Sequence, residues 1–193
     1  SNMAEEEKKQ QSGKTILGID PGTQVLGYGV IRSTDNQLEA LTLGIVELHK
    51  FSAHHARLKR IFERVSQLIE TWKPDAVVLE APFFGKNVQS MLKLGRAQGV
   101  AMAAALNAGL EVEEYSPRRI KQAITGNGNA SKEQVAGFLV RMLNLTEIPQ
   151  KLDATDGLAV AVCYYLQQKV VTGNKSYNSW KDFLNKNPGR IKK

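Results

Sequence analysis

Three short apolar bursts open the pattern: Lys14–Asp20, Gly27–Ile31 and Ala40–Leu48, the last two parted by the turn-rich Ser33-Thr34-Asp35-Asn36. Links this short predict an antiparallel meander. From Ser52, read as an N-cap, apolar residues fall at Leu58, Ile61, Phe62, Val65, Leu68, Ile69 and Trp72. Spacings of three and four predict a helix laid on a sheet, and Lys73-Pro74 stops it. Ala76-Val77-Val78-Leu79-Glu80 is a continuous apolar run. A strand that follows a crossover helix is expected to lie parallel to its neighbour.

The second half keeps alternating. Val88 to Asn107 predicts a long helix rich in small residues (Gly95, Ala97, Gly99, Ala101 and Ala103–Ala105), closed by Gly109. Leu110–Tyr115 reads as an edge strand, and Ser116-Pro117 opens a short helix through Ala123. After Gly126-Asn127-Gly128-Asn129, taken as a flexible loop, Ser131 and Gln134 form a capping-box pattern for a helix to Leu143. Asp153 starts a last apolar helix to Gln168. The expected fold is therefore a mixed five-stranded α/β domain, three antiparallel strands then two parallel ones, flanked by helices.

Length and composition place limits on this picture. With 193 residues, the chain suits one compact domain at residues 14–168 and a basic tail at 169–193. Ser1-Asn2-Met3 reads as an expression scar plus initiator, and the polar stretch to Gly13 is expected to be disordered. No apolar run approaches the ~20 residues that cross a bilayer, so a cytoplasmic protein without membrane contact is expected. The single cysteine, Cys163, excludes an intramolecular disulfide and reads as a small core residue. The net charge of +7 sits largely in the tail, where seven basic residues face only Asp182, and it favours a polyanionic partner.

Candidate chemistry is carried by carboxylates. Asp20 and Glu80 each end a predicted core strand, and parallel pairing would bring those ends to one side. Asp153 and Asp156 stand one helical turn apart on one face. Either motif alone is also ordinary turn or cap chemistry. Four acids in one pocket would raise one another's pKa, and a cation relieves that repulsion. All-oxygen ligands suit Mg²⁺ or Mn²⁺, and two such ions roughly 4 Å apart serve in-line attack on a phosphodiester. That chemistry needs no histidine; His49, His54 and His55 are expected on the surface.

The stretch Gly18-Ile19-Asp20-Pro21-Gly22-Thr23, then Leu79-Glu80 with Pro82-Phe83-Phe84-Gly85-Lys86-Asn87, then Lys121-Gln122, then Asp153-Ala154-Thr155-Asp156-Gly157-Leu158-Ala159, resembles the RuvC Holliday-junction resolvases in order and setting. The resemblance covers about Lys14 to Gln168. It implies a ribonuclease-H-like fold, a homodimer, Mg²⁺-dependent paired nicking of four-way junction DNA, and work beside the RuvA and RuvB branch-migration complex. Asp20, Glu80, Asp153 and Asp156 match the family's metal-binding acids, with two Mg²⁺ ions per site expected once DNA is bound and Mn²⁺ as a substitute. Some members carry His at the third acid, where this chain keeps Asp153. Gly157 stands where many relatives have Ala, at a cost of ~1 kcal/mol in helix propensity.

Further roles follow from the same resemblance. Phe83 matches an aromatic thought to wedge against bases near the crossover, with Phe84 as the other candidate; stacking there is worth ~1–3 kcal/mol. Lys121 and Lys132 match lysines near the scissile phosphate. Independently of the resemblance, Lys86, Asn87, Lys93, Arg96, Arg118 and Arg119 are candidates to grip DNA arms through charge and polarity. In the tail, Tyr177, Trp180, Phe183 and Leu184 share a face if Ser176–Asn187 is helical. Packing on the domain, partner or DNA binding, and mobility are the expectations for it, in that order. Two competing functions remain: a single-domain nucleotide-binding ATPase of the actin and sugar-kinase type, and a binder of branched DNA without catalysis.

Overall fold

A computed structural model describes residues 13–34, 37–81, 85 and 87–172. The expectations for residues 1–12, Phe83, Phe84, Lys86 and the tail beyond 172 lie outside these residues. One five-stranded sheet has the order β3-β2-β1-β4-β5, with β1 (Lys14–Asp20), β2 (Val25–Thr34), β3 (Gln37–Glu47), β4 (Ala76–Glu80) and β5 (Glu111–Tyr115). The first three strands pair antiparallel, and β4 and β5 add in parallel. The expected architecture is borne out. Central β1 and β4 are buried along almost their whole length, which explains why they read as continuous apolar runs.

Helices cover both faces. On one lie α1 (His54–Trp72) and α2 (Val88–Asn107), burying Ile61, Val65 and Leu68 with Ala97, Ala101 and Ala104 against Leu17, Ile19, Val77 and Leu79. On the other lie α3 (Pro117–Thr125), α4 (Lys132–Met142) and α5 (Asp153–Thr172), which bury Ile120, Ile124 and Leu139 with the central part of α5 against Ile16, Ile31 and Val78. The α5 run reads as apolar all round because it is enclosed all round: Leu158 to Tyr164 is buried without a break. Cys163 lies in this core, where burial pushes its thiol up to about 12.

Local signals set most boundaries. Ser131 and Gln134 form the expected capping box at α4, which ends one residue early at Met142. Ser116 caps α3, whose last turn runs past Ala123 to Thr125 before Gly126 takes a left-handed conformation. The N-cap of α1 is Ala53 instead of Ser52 and contributes no side-chain bond. Arg57 steadies this end from within the helix, donating from Nε to Phe51 O (2.7 Å) and from Nη1 to Thr23 O (3.0 Å). The loop expected to be flexible after α3 is instead held: Thr125 Oγ1 donates to Lys121 O and accepts from Asn127 N, while Gly128 N donates to Gln122 Oε1. A run of glycines reads as freedom until such side-chain bonds are placed.

The seat of α5 depends on missing side chains. A Cβ on Gly157 would lie 2.6 Å from Gly29 N and would also press on the Tyr28 backbone, and one on Gly18 would strike Gly157 O. Helix and sheet backbones therefore meet directly, and glycine here is a packing requirement. Gly157→Ala should destabilise the fold by about 1–3 kcal/mol, because the overpacking cost exceeds the ~1 kcal/mol gain in helix propensity. A thermal melt reads the sign, and a raised Tm would refute the direct seat.

Candidate active site

Asp20 and Glu80 come together because of strand direction. Parallel register sets Ile19 beside Leu79, so the next residues, Asp20 and Glu80, stand side by side where β1 and β4 end. Across the antiparallel pair, Asp20 faces Gly27. A Cβ at Gly27 would strike the carbonyl oxygen of Asp153, so this glycine lets the start of α5 approach the strand ends. That approach delivers the Asp153–Asp156 turn to the same edge.

The carboxylates are in electrostatic contact. Asp20 shares hydrogen bonds with Glu80 and Asp156, and its carboxyl is pushed up to about 8. Burial is the largest cause, and the hydrogen bond and charge of Glu80 add to it. Asp156 is pushed up to about 6, chiefly by burial and then by the charge of Asp20, with Lys132 pulling the other way. Lys132, the first residue of α4, donates from Nζ to Asp156 Oδ2 (2.8 Å) and Asp153 Oδ1 (3.3 Å). Burial alone would lower its pKa; its bonds to Asp156 and Asp153 hold it above the ordinary value instead. A cavity of about 130 Å³ opens beside Asp20 and Glu80.

This donor set fits a hard cation in its chemistry: the buried Asp20 carboxyl, beside Glu80, holds a proton that a metal can replace. It is not spaced as a finished cage. Among the described residues, no three His, Cys, Asp or Glu side chains are placed to hold one ion as they stand, and Lys132 supplies the positive charge between Asp153 and Asp156.

The other candidates divide. Lys93 and Arg96 are exposed on α2, and Arg118 is exposed on α3. Lys121, half-buried on α3, has no ion pair with the four acids among the described residues. Arg119 is turned onto the domain, donating to Gln167 Oε1 (2.7 Å) and lying over the Tyr115 ring. Asn87 caps α2, its Oδ1 accepting from Gln89 N and Ser90 N. His49 and His55 are exposed as expected, whereas His54 is half-buried and its Nε2 has no partner among the described residues. The sequence reading missed Gln98, which is 7% exposed on α2 and lines the cavity beside the acids. A polar residue on the buried face of a small-residue helix was its available signal. Glu47 was missed as well: ion pairs with Lys50 and Lys151 hold it near 2 and tie the approach to α5 to the end of β3.

Comparison with known proteins gives a consistent result. Residues 16–164 match the family model described as Crossover junction endodeoxyribonuclease RuvC. A relative of that name from Bacteroides fragilis is 56% identical over 181 residues, covering 93% of this chain and 96% of its own. One from Porphyromonas gingivalis is 53% identical over 185 residues, covering 93% and 97%. The solved structure of T. thermophilus RuvC in complex with Holliday junction substrate superposes with a TM-score of 0.77 at 32% identity, covering 82% of this chain and 97% of that one.

Proposed function

The chain belongs to the RuvC family of crossover junction endodeoxyribonucleases, which hydrolyse DNA phosphodiesters in Holliday-junction resolution, and we propose that Asp20, Glu80, Asp153 and Asp156 form its Mg²⁺-dependent reaction centre. One observation carries this assignment: parallel β1 and β4 end in adjacent carboxylates, and Asp20 is in hydrogen-bonding contact with both Glu80 and Asp156. Mn²⁺ would satisfy the same oxygen donors, and two ions are expected with DNA in place. When bound, such ions activate water and stabilise the leaving oxygen of an in-line displacement.

The chain's own groups prepare that site. Below its raised pKa, Asp20 keeps a proton in contact with Glu80, which limits the repulsion between the two carboxyls. Lys132 bridges Asp153 and Asp156, offsetting part of their charge, and offers an ammonium where a phosphodiester would lie against the acids. Lys121 is the second candidate cation near the scissile phosphate. Lys93, Arg96 and Arg118 are the exposed residues we assign to gripping the arms, where charge gives affinity without reading sequence. Asn87 and Arg119 serve the fold first, so their part in DNA binding is secondary. Phe83, Phe84 and Lys86 complete the proposed DNA surface.

Paired nicks require two centres, so the functional unit is proposed to be a homodimer. The supporting surface is the outer face of α2, where Val88, Leu92 and Leu106 are exposed and space is open around Gly95 and Gly99. Residues 14–168 constitute the proposed nuclease domain, working on DNA in the cytoplasm beside RuvA and RuvB. Among the described residues no helix is long and apolar enough to cross a membrane.

The deciding experiment offers a synthetic four-way junction to the full chain with Mg²⁺. Symmetric nicks are expected, with linear duplex largely intact and cutting stopped by a chelator. The rate should climb with pH, because protons held on the buried carboxyls of Asp156 and Asp20 compete with the metal for the same oxygens. A junction that stays whole despite measurable binding would favour the branched-DNA binder without catalysis.

A further inference from the structure

The direction of α5 decides which surface its far end meets. The helix starts against Gly27 and crosses Gly29 at Leu158 and Gly18 at Ala161, so it runs toward the strand ends opposite the reaction centre. There Tyr164 Oη accepts a hydrogen bond from Lys14 Nζ (2.7 Å), and Lys14 stands across from Ser33. Residues 165–172 carry the helix about 12 Å further in the same direction. A groove of about 750 Å³ opens at this end of the sheet, between the tip of the β2–β3 hairpin and the segment that follows α4. Its floor is Leu38, Ala40, Met142 and Leu145, half-buried side chains that pack with Tyr165 and Leu166 of α5 on one core cluster. Exposed Glu39 stands on its rim and has no ion pair among the described residues.

The chain itself carries a segment that suits this groove. Residues 173–193 follow α5 and lie outside the described residues; their sequence sets Tyr177, Trp180, Phe183 and Leu184 on one face of a helix over Ser176–Asn187. Residues 173–176 reach up to about 14 Å when extended, which matches the overshoot of α5 and lets the chain turn back onto the hairpin. An amphipathic helix laid in a groove puts its apolar stripe on the floor and keeps its charges at the rim. Lys181 borders that stripe and is the charge partner for Glu39. A tether this short raises the effective concentration of the segment to roughly the millimolar range, ahead of a free partner with the same apolar face. We propose that the groove is the docking site of the chain's own residues 176–187, with Trp180 and Phe183 against Leu38, Met142 and Leu145. Docking there leaves the reaction centre, at the other strand ends, uncovered.

The chain has two tryptophans, so Trp72→Phe in the full chain leaves Trp180 as the only one that emits. In that background acrylamide should quench Trp180 at least about 3-fold less in the folded chain than in urea, because a docked ring is withdrawn from water. Leu38→Glu puts a charge on the groove floor, and Phe183→Asp alters only the tail. Each should restore quenching to the level seen in urea while the domain still melts cooperatively. Cross-linking then locates the segment: Cys163 is buried, so a short bismaleimide reacts with Thr146→Cys at the groove and Lys181→Cys in the tail. A cross-link within one chain is expected. Cross-links only between chains would make a second copy the occupant, and shielding of Trp180 that appears only with junction DNA would make the tail a DNA contact. Either result overturns the proposal, as does full quenching in the folded chain, shielding that survives Leu38→Glu, or no cross-link at all. If Leu38→Glu fails to fold, Phe183→Asp and the cross-link decide.

Discussion

Asp20→Asn is expected to abolish cutting, with a single-turnover rate lowered by roughly 10³-fold or more and junction affinity within about 2-fold of the unaltered protein. The substitution removes one negative charge and one metal donor at almost constant shape, so binding that depends on distant basic residues is spared. The same change has a second, opposite consequence. In the folded protein without metal, the Asp20 carboxyl is held near 8, against an ordinary aspartate value of 3.8. The folded state therefore binds this proton more tightly than the unfolded chain. Its stabilising contribution is complete below pH ~4 and is lost as pH rises through about 8. An amide cannot ionise and keeps the uncharged form at every pH. In chelator, Asp20→Asn should melt above the unaltered protein at pH 8.5 and at nearly the same temperature at pH 4. A gap between the two melting curves that does not vary with pH would refute the crowded-carboxylate account, and retained cutting would refute the assignment of Asp20.

Lys132→Met should have the next largest effect, a fall in cutting of about 100-fold at pH 7. The ammonium lies 2.8 Å from Asp156 and 3.3 Å from Asp153, and both its hydrogen bond and its charge lower the pKa of Asp156. Without it, burial and the charge of Asp20 act on Asp156 unopposed, and the rising limb of the pH–rate profile moves to higher pH. A purely structural lysine would change stability and leave that limb in place. Lys132→Arg, which keeps the charge in a different shape, should restore the position of the limb and only part of the rate. An unaltered profile in Lys132→Met would remove this residue from the reaction centre.

Much of the molecule was legible from local patterns. The bounds of α2 and the capping box of α4 are written in consecutive residues, since period and cap chemistry act within one or two turns. Asp20 and Glu80 were legible as neighbours for a more global reason. An apolar run that follows a crossover helix pairs in parallel, and two parallel strands that both end in an acid present those acids together. The four-part motif then identified the family, as the 56% identity to the Bacteroides fragilis relative bears out.

Other features depend on which faces meet, and periodicity does not encode that. Gly157 reads as a weak point in a helix until α5 is set on β2, where a Cβ has no room. His54 reads as surface until its Nε2 is found buried. Lys132 reads as one lysine among many until the start of α4 is brought against the start of α5. The sequence by itself determined the elements, their order and the parallel pairing, because these follow from local backbone preference and from the handedness of connections, and it nominated the four acids. Only the tertiary structure decided which cation bridges Asp153 and Asp156, that burial raises the Asp20 carboxyl, and that Gln98 faces a cavity beside them. Those outcomes depend on ångström-scale distances between elements far apart in the chain, and on burial that no single segment carries.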